Sequence, residues 1–128
     1  MSAPINRVES WTASDYDMII DVRSPAEYAD DHLPGAVNLP VLNNEQRAKI
    51  GMLYKQVSPF AAKRAGAALV AANIAQHIDT ALKDANRNFR PLIYCWRGGQ
   101  RSNSMARILS EIGWQTDLVH GGYKRYRK

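Results

Sequence analysis

Short apolar runs alternate with longer stretches of helical character along this chain, and each boundary carries its own signal. Residues 16–22 form an apolar run closed by an acid, the pattern of a buried strand with a polar carboxyl end. Ser24, Pro25 and Glu27 follow at once. They supply an N-cap serine, a proline at the first helical position and a glutamate at capping-box spacing, so a helix begins where the strand stops. Leu33-Pro34-Gly35 is a turn, and residues 36–39 are long enough for a second short strand. Asn43 and Asn44 cap a helix through Ile50, and Ser58-Pro59 repeats the serine cap and helical proline before an alanine-rich helix running to about residue 85. Within it Ala61, Ala65, Ala68, Leu69, Ala72, Ile74, Ala75, Ile78 and Leu82 fall near helical spacing, a stripe for packing on a sheet. Residues 91–95 read as another buried strand, 101–112 as a helix ended by Gly113, and 115–120 as a last strand before Gly121-Gly122. This alternation predicts an α/β fold: a parallel sheet covered by helices on both faces.

Composition narrows the class. At 128 residues, with 45% hydrophobic and 23% charged residues, the chain fits one globular domain that needs no staples. The most apolar stretch, residues 65–75, is interrupted by Gly66 and Asn73 and falls well short of the ~20 residues of a membrane span. The first residues lack the apolar run of a secretory signal, and the single cysteine, Cys95, excludes an intrachain disulfide, so a reducing, cytoplasmic setting is expected. The net charge of +5 favours an anionic partner. Part of it gathers at the end, where Lys124, Arg125, Arg127 and Lys128 surround Tyr126, a pattern suited to phosphate contacts or simply to solvation. No metal-ligand cluster is evident.

The chemistry centres on Cys95. In open α/β sheets ligands bind beyond the carboxyl ends of strands, and Cys95 stands at such an end, followed by Trp96-Arg97-Gly98-Gly99-Gln100-Arg101 and a helix. Adjacent glycines let backbone N–H groups converge, while the helix start and the guanidinium groups of Arg97 and Arg101 add positive potential. This cradle should hold Cys95 as a nucleophilic thiolate and accommodate a persulfide, a selenium adduct or an oxyanion. The plainer alternative is an inert buried cysteine.

Ile20-Asp21-Val22-Arg23 with Glu27, His32-Leu33-Pro34-Gly35-Ala36 with Asn38, Tyr94-Cys95 with its glycine loop, Arg101-Ser102 and Gly121-Gly122 together resemble a rhodanese domain over nearly the whole chain. The resemblance implies a five-stranded parallel sheet with Cys95 as the catalytic residue. One departure is the loop. Sulfur-transferring rhodaneses typically place arginine or its equivalent five positions after the cysteine, whereas Arg101 stands six after Cys95. That spacing resembles cysteine phosphatases and arsenate reductases, which usually carry His before the cysteine where this chain has Tyr94. A narrower similarity lies in Pro40 to Glu45, Gly51 to Phe60, Gly66 to Val70, Tyr94-Cys95-Trp96-Arg97-Gly98-Gly99 and Gly121-Gly122-Tyr123-Lys124. These segments are similar to the rhodanese domain of the bacterial tRNA 2-selenouridine synthases. The similarity implies replacement of the sulfur of wobble 2-thiouridine in the tRNA anticodon arm by selenium, through an S-geranylated intermediate. Selenophosphate would be the donor substrate, with no bound cofactor. That family continues into a C-terminal P-loop domain, whose Gly-x-x-x-x-Gly-Lys-Ser/Thr is absent here, so residues 1–128 are expected to be the N-terminal domain of a longer enzyme.

Supporting roles divide between function and scaffold. Trp96 would stack on a base, cover a prenyl chain or wall the pocket. Asp21 would orient the loop or handle a proton, its expected state being a carboxylate bonded to backbone N–H groups. His32 is expected to fix a turn, and His77 has no evident partner. Tyr54, Lys55 and Ser58 would border the substrate site, although Ser58 is already explained as a helix cap. A noncatalytic binding module remains the third class of function.

Overall fold

The structure, a computed structural model, describes residues 2–126. Arg127 and Lys128 of the basic end therefore lie outside the described residues. Five strands, β1 (Ile5–Val8), β2 (Met18–Asp21), β3 (Val37–Asn38), β4 (Pro91–Tyr94) and β5 (Thr116–Val119), form one parallel sheet in the order β1-β5-β4-β2-β3. The helices are α1 (Pro25–Asp30), α2 (Asn44–Gln56), α3 (Pro59–Asp79), α4 (Gln100–Ile112) and α5 (Gly122–Tyr126).

Buried on both faces, β4 and β5 carry side chains alternately into two apolar clusters, as a covered parallel sheet requires. On one face Ile20, Ile93, Cys95 and Leu118 meet Ile74 of α3 and Met105, Ala106 and Leu109 of α4. On the other, Ile19, Leu92, Tyr94 and Val119 meet Leu33, Ala36 and Tyr123, with Tyr28 of α1 packed alongside. Tyr94 and Cys95 thus face opposite sides of the sheet. Among the described residues no helix is long and apolar enough to cross a membrane.

Three boundaries differ from the sequence pattern for physical reasons. The apolar pattern gives no sign of β1, because Ile5-Asn6-Arg7-Val8 is an exposed edge strand whose polar side chains bond outward: Arg7 donates to Asn103 at 3.0 Å. Helix α3 stops at Asp79 rather than near residue 85, where the Thr80 hydroxyl turns back to the Gln76 carbonyl and the following turn folds Leu82 into the core. Only Ala62 and Ile74 of α3 are fully buried, so much of the alanine stripe faces solvent. Helix α2 runs six residues beyond Ile50, has no buried residue, and packs chiefly on α3.

Candidate active site

The chain leaves β4 at Tyr94 and turns immediately, putting Cys95 at the carboxyl edge of the strand between β2 and β5. Cys95 is 3% exposed. Its Sγ lies 3.2 Å from Oγ of Ser102, in the first turn of α4, and that oxygen also lies 3.2 Å from the Gly99 carbonyl. Ser102 is the third residue of α4, with its side chain aimed back at the strand end, a placement that nothing in the local spacing singles out. A cavity of about 310 Å³ opens here, lined by Cys95, Trp96, Arg97, Gly99, Gln100 and Arg101.

The loop is held from below by the Gly121-Gly122 segment. N–H of Tyr123 donates to the Cys95 carbonyl at 2.8 Å, and N–H of Lys124 to the Trp96 carbonyl at 2.9 Å. Gly98 has φ +70°, and a side chain there would press on the backbone of Gly121 and Gly122. Arg7 of β1 reaches the Gly98 carbonyl at 3.4 Å. Trp96 walls the cavity while its ring leans on Tyr123, centroids 6.2 Å apart.

The two arginines do not act alike. Arg97 is exposed and forms no ion pair among the described residues, which leaves its charge at the cavity mouth. Arg101 is docked on Glu27, its Nη1 2.7 Å and its Nη2 3.4 Å from the carboxylate, with Arg47 adding a contact at 3.4 Å. The positive potential assigned to Arg101 from sequence is therefore largely matched by a carboxylate. Burial alone would raise the pKa of Glu27; the hydrogen bond and charge of Arg101, with donors from Ser24, outweigh it and hold the group down at about 2. A depressed carboxylate stabilises the fold above its unfolded pKa and loses that contribution as pH falls through its folded value. The wild type should thus be more stable than Glu27→Gln at neutral pH, and the gap between their unfolding midpoints should close between about pH 4.5 and about pH 2.

Asp21, at the end of β2, accepts from the Arg23 N–H at 2.8 Å, as expected of a backbone-bonded carboxylate. Sequence alone does not reveal the rest of its shell. The Arg23 guanidinium lies on it, with Nη2 at 2.8 Å, and the Tyr94 hydroxyl donates to it at 2.7 Å. Burial, and then the charge of Asp21, push the Tyr94 phenol far above its ordinary value, so it is a neutral donor. Arg23 stays charged: burial opposes this, and the bond to Asp21 more than compensates. It also caps the Tyr123 ring at 4.6 Å, and Tyr123 donates its hydroxyl to Asp31. This buried network braces the far side of the sheet from the thiol.

The remaining candidates fall elsewhere. Tyr54 and Lys55 are exposed in the last turn of α2 and do not line the Cys95 cavity. Ser58 accepts from Ala61 N–H at 3.0 Å as a helix cap. His32 holds its turn through the Tyr28 carbonyl at 2.7 Å, and His77, contrary to expectation, has a partner in the Pro40 carbonyl at 2.7 Å. Lys124 is exposed, and Arg125 pairs with Glu9 at 3.0 Å.

Comparison with known proteins extends this geometry. The tRNA 2-selenouridine synthase of Nitrosomonas europaea is 41% identical over 111 residues, covering 86% of this chain and 29% of that protein. That of Proteus mirabilis is 42% identical over 111 residues, covering 86% and 31%. The chain therefore spans less than a third of the length of these curated relatives. Among solved structures, the N-terminal domain of a Clostridium difficile 630 protein described as ATP/GTP binding matches with a TM-score of 0.73 and 34% identity, over 86% of this chain and 85% of that one. The family model for the rhodanese-like domain matches residues 6–128. Because that match runs from the first strand through the last and is not confined to the cysteine loop, the chain belongs to the rhodanese-like domain family.

Proposed function

We propose that this domain is a chalcogen carrier in tRNA modification. Cys95 takes selenium or sulfur from an anionic donor and passes it toward tRNA. In its specific form, the reaction replaces the sulfur of wobble 2-thiouridine in the anticodon arm by selenium from selenophosphate, in the cytoplasm. The observation that carries this reading is the near-buried Cys95 Sγ, set against the Ser102 hydroxyl and opening onto a cavity whose mouth holds the unpaired Arg97. The named relatives support tRNA as the acceptor.

In the loading step the Cys95 thiolate attacks the outer chalcogen of a donor that carries it at the zero-valent level, as thiosulfate carries its outer sulfur. The bond from that chalcogen to its leaving group breaks, the leaving group departs with the electron pair, and an S–S⁻ or S–Se⁻ group remains on Cys95. The Ser102 hydroxyl can donate to sulfur before attack, and loop amides and Arg97 offset the anion formed. With thiosulfate as the probe, sulfite is the leaving group. Intact-mass analysis should then show a gain of one sulfur atom that a thiol reductant removes and that Cys95→Ser lacks. A wild-type chain that gains no sulfur from thiosulfate overturns the reading. The phosphatase alternative is weakened by Tyr94, whose hydroxyl is engaged by Asp21 on the opposite side of the sheet from the thiol.

A further inference from the structure

Residues 46–78 contain five cations, Arg47, Lys49, Lys55, Lys63 and Arg64, and not one carboxylate. Counting Glu45 and Asp79 at its two ends, the α2–α3 hairpin carries five cations and two carboxylates, +3 of the chain's net +5, and both carboxylates lie outside the stretch that holds the cations. All five side chains are exposed. Arg47 has a contact with Glu27, while the other four form no ion pair among the described residues.

The junction of the same two helices exposes Met52, Tyr54, Val57 and Phe60, half of the large apolar side chains on the described surface. Phe60 is 75% and Tyr54 58% exposed. Unpaired cations beside exposed rings suit a polyanion with stackable bases, because the cations neutralise phosphates while the rings lie against base faces. A membrane-binding helix would instead continue its apolar face along its length. Here the exposed large apolar residues of the hairpin are confined to residues 52–60.

The other end of α2 packs on α1, which links it to Arg101 of the cysteine loop. Arg47 and Arg101 share Glu27, and Asn44 accepts from Ala26 N–H at 2.9 Å. From Arg47 to Lys55 the helix rises about 12 Å. A phosphate backbone laid along α2 therefore runs from the aromatic junction toward the mouth of the Cys95 cavity.

We infer that the α2–α3 hairpin is the RNA-docking face of this domain, with Tyr54 and Phe60 stacking on bases and Lys49, Lys55, Lys63 and Arg64 neutralising phosphates. The inference rests on the proposed tRNA function and names the surface that function uses, away from the basic C-terminal end.

Fluorescence anisotropy with a tRNA transcript, across a salt series, tests it. Lys63→Glu/Arg64→Glu should weaken binding roughly tenfold or more at low salt and reduce the slope of log affinity against log salt by about two. Phe60→Ala should weaken binding about fivefold or more with the slope unchanged. The same charge reversal on other faces, Lys83→Glu/Arg107→Glu or Lys124→Glu, should cost no more than about twofold. Equal losses from all the reversals, or a loss confined to Lys124→Glu, would overturn the inference. So would hairpin variants that lose binding to phosphatidylglycerol vesicles but keep binding to tRNA. Sulfur loading of wild-type Cys95, measured separately, tells the two failures apart. Loading without any tRNA binding removes the docking face and leaves the carrier; hairpin-dependent binding without loading does the reverse.

Discussion

Gly122→Ala is expected to destabilise the fold by about 3 kcal/mol or more and to abolish sulfur loading at Cys95. The residue has φ +62°, where a side chain is already strained, and its Cβ would fall onto the Cys95 carbonyl oxygen, 2.6 Å from Gly98 N and 2.7 Å from Trp96 O. All three are backbone atoms of the cysteine loop, so no flexible side chain can move aside. Relief has to come from pulling α5 away from the loop, which breaks the hydrogen bonds from Tyr123 and Lys124 N–H. Gly99→Ala is the internal control: its Cβ would meet nothing within 4 Å, and its φ is −95°. Thermal unfolding should place Gly122→Ala about ten degrees or more below wild type, and Gly99→Ala close to it. A Gly122→Ala protein that unfolds with the wild type and still takes up sulfur would show that the loop does not depend on this contact.

Arg23→Ala should be about as damaging, at roughly 3–5 kcal/mol, although Arg23 lies on the far side of the sheet from the sulfur. Asp21 is fully buried and Arg23 nearly so. Removing the guanidinium leaves the carboxylate, among the described residues, with only the Arg23 N–H and the Tyr94 phenol as donors. It also removes the donor to the Asp31 carbonyl, at 2.6 Å, and the cation over the Tyr123 ring. Arg23→Lys should recover only part of the loss, because an ammonium cannot present the forked donors that reach both carboxylate oxygens. Asp21→Asn/Arg23→Ala should be less damaging than Arg23→Ala alone, since no buried charge is then left unmatched. Denaturant unfolding of the three variants checks the order, and a near-neutral Arg23→Ala would mean that water replaces the guanidinium at little cost.

The parts of this fold legible in the sequence are those with local causes. Strands β2 and β4 announce themselves as apolar runs because both faces are buried, and α1 and α3 by proline and serine at their starts. Edge strand β1 has no such signature, since its side chains face solvent and its pairing depends on β5, more than a hundred residues away. The cysteine loop was equally plain from its glycines. What it rests on was not: Glu27 reads as a capping-box residue and Arg101 as a loop cation, yet they meet across 74 positions and largely balance each other. Gly121-Gly122 stands out as a motif, but the reason for glycine there, contact with the backbone of residues 95–98, exists only once β4 and β5 lie side by side.

The clamp on the Cys95 and Trp96 carbonyls has a further consequence, concerning reach. With the backbone pinned by α5 and Cβ fixed by the strand end, side-chain torsions alone can swing the sulfur, and a second chalcogen extends it by only about 2 Å. Such a carrier cannot travel to its acceptor as a tethered arm would. Under the proposed function, the acceptor atom would have to come to the floor of a cavity of about 310 Å³, so a base receiving the chalcogen would have to leave its stack and enter alone. The same proposal would have nucleotides held in a duplex screened out by distance, before any contact reads their identity.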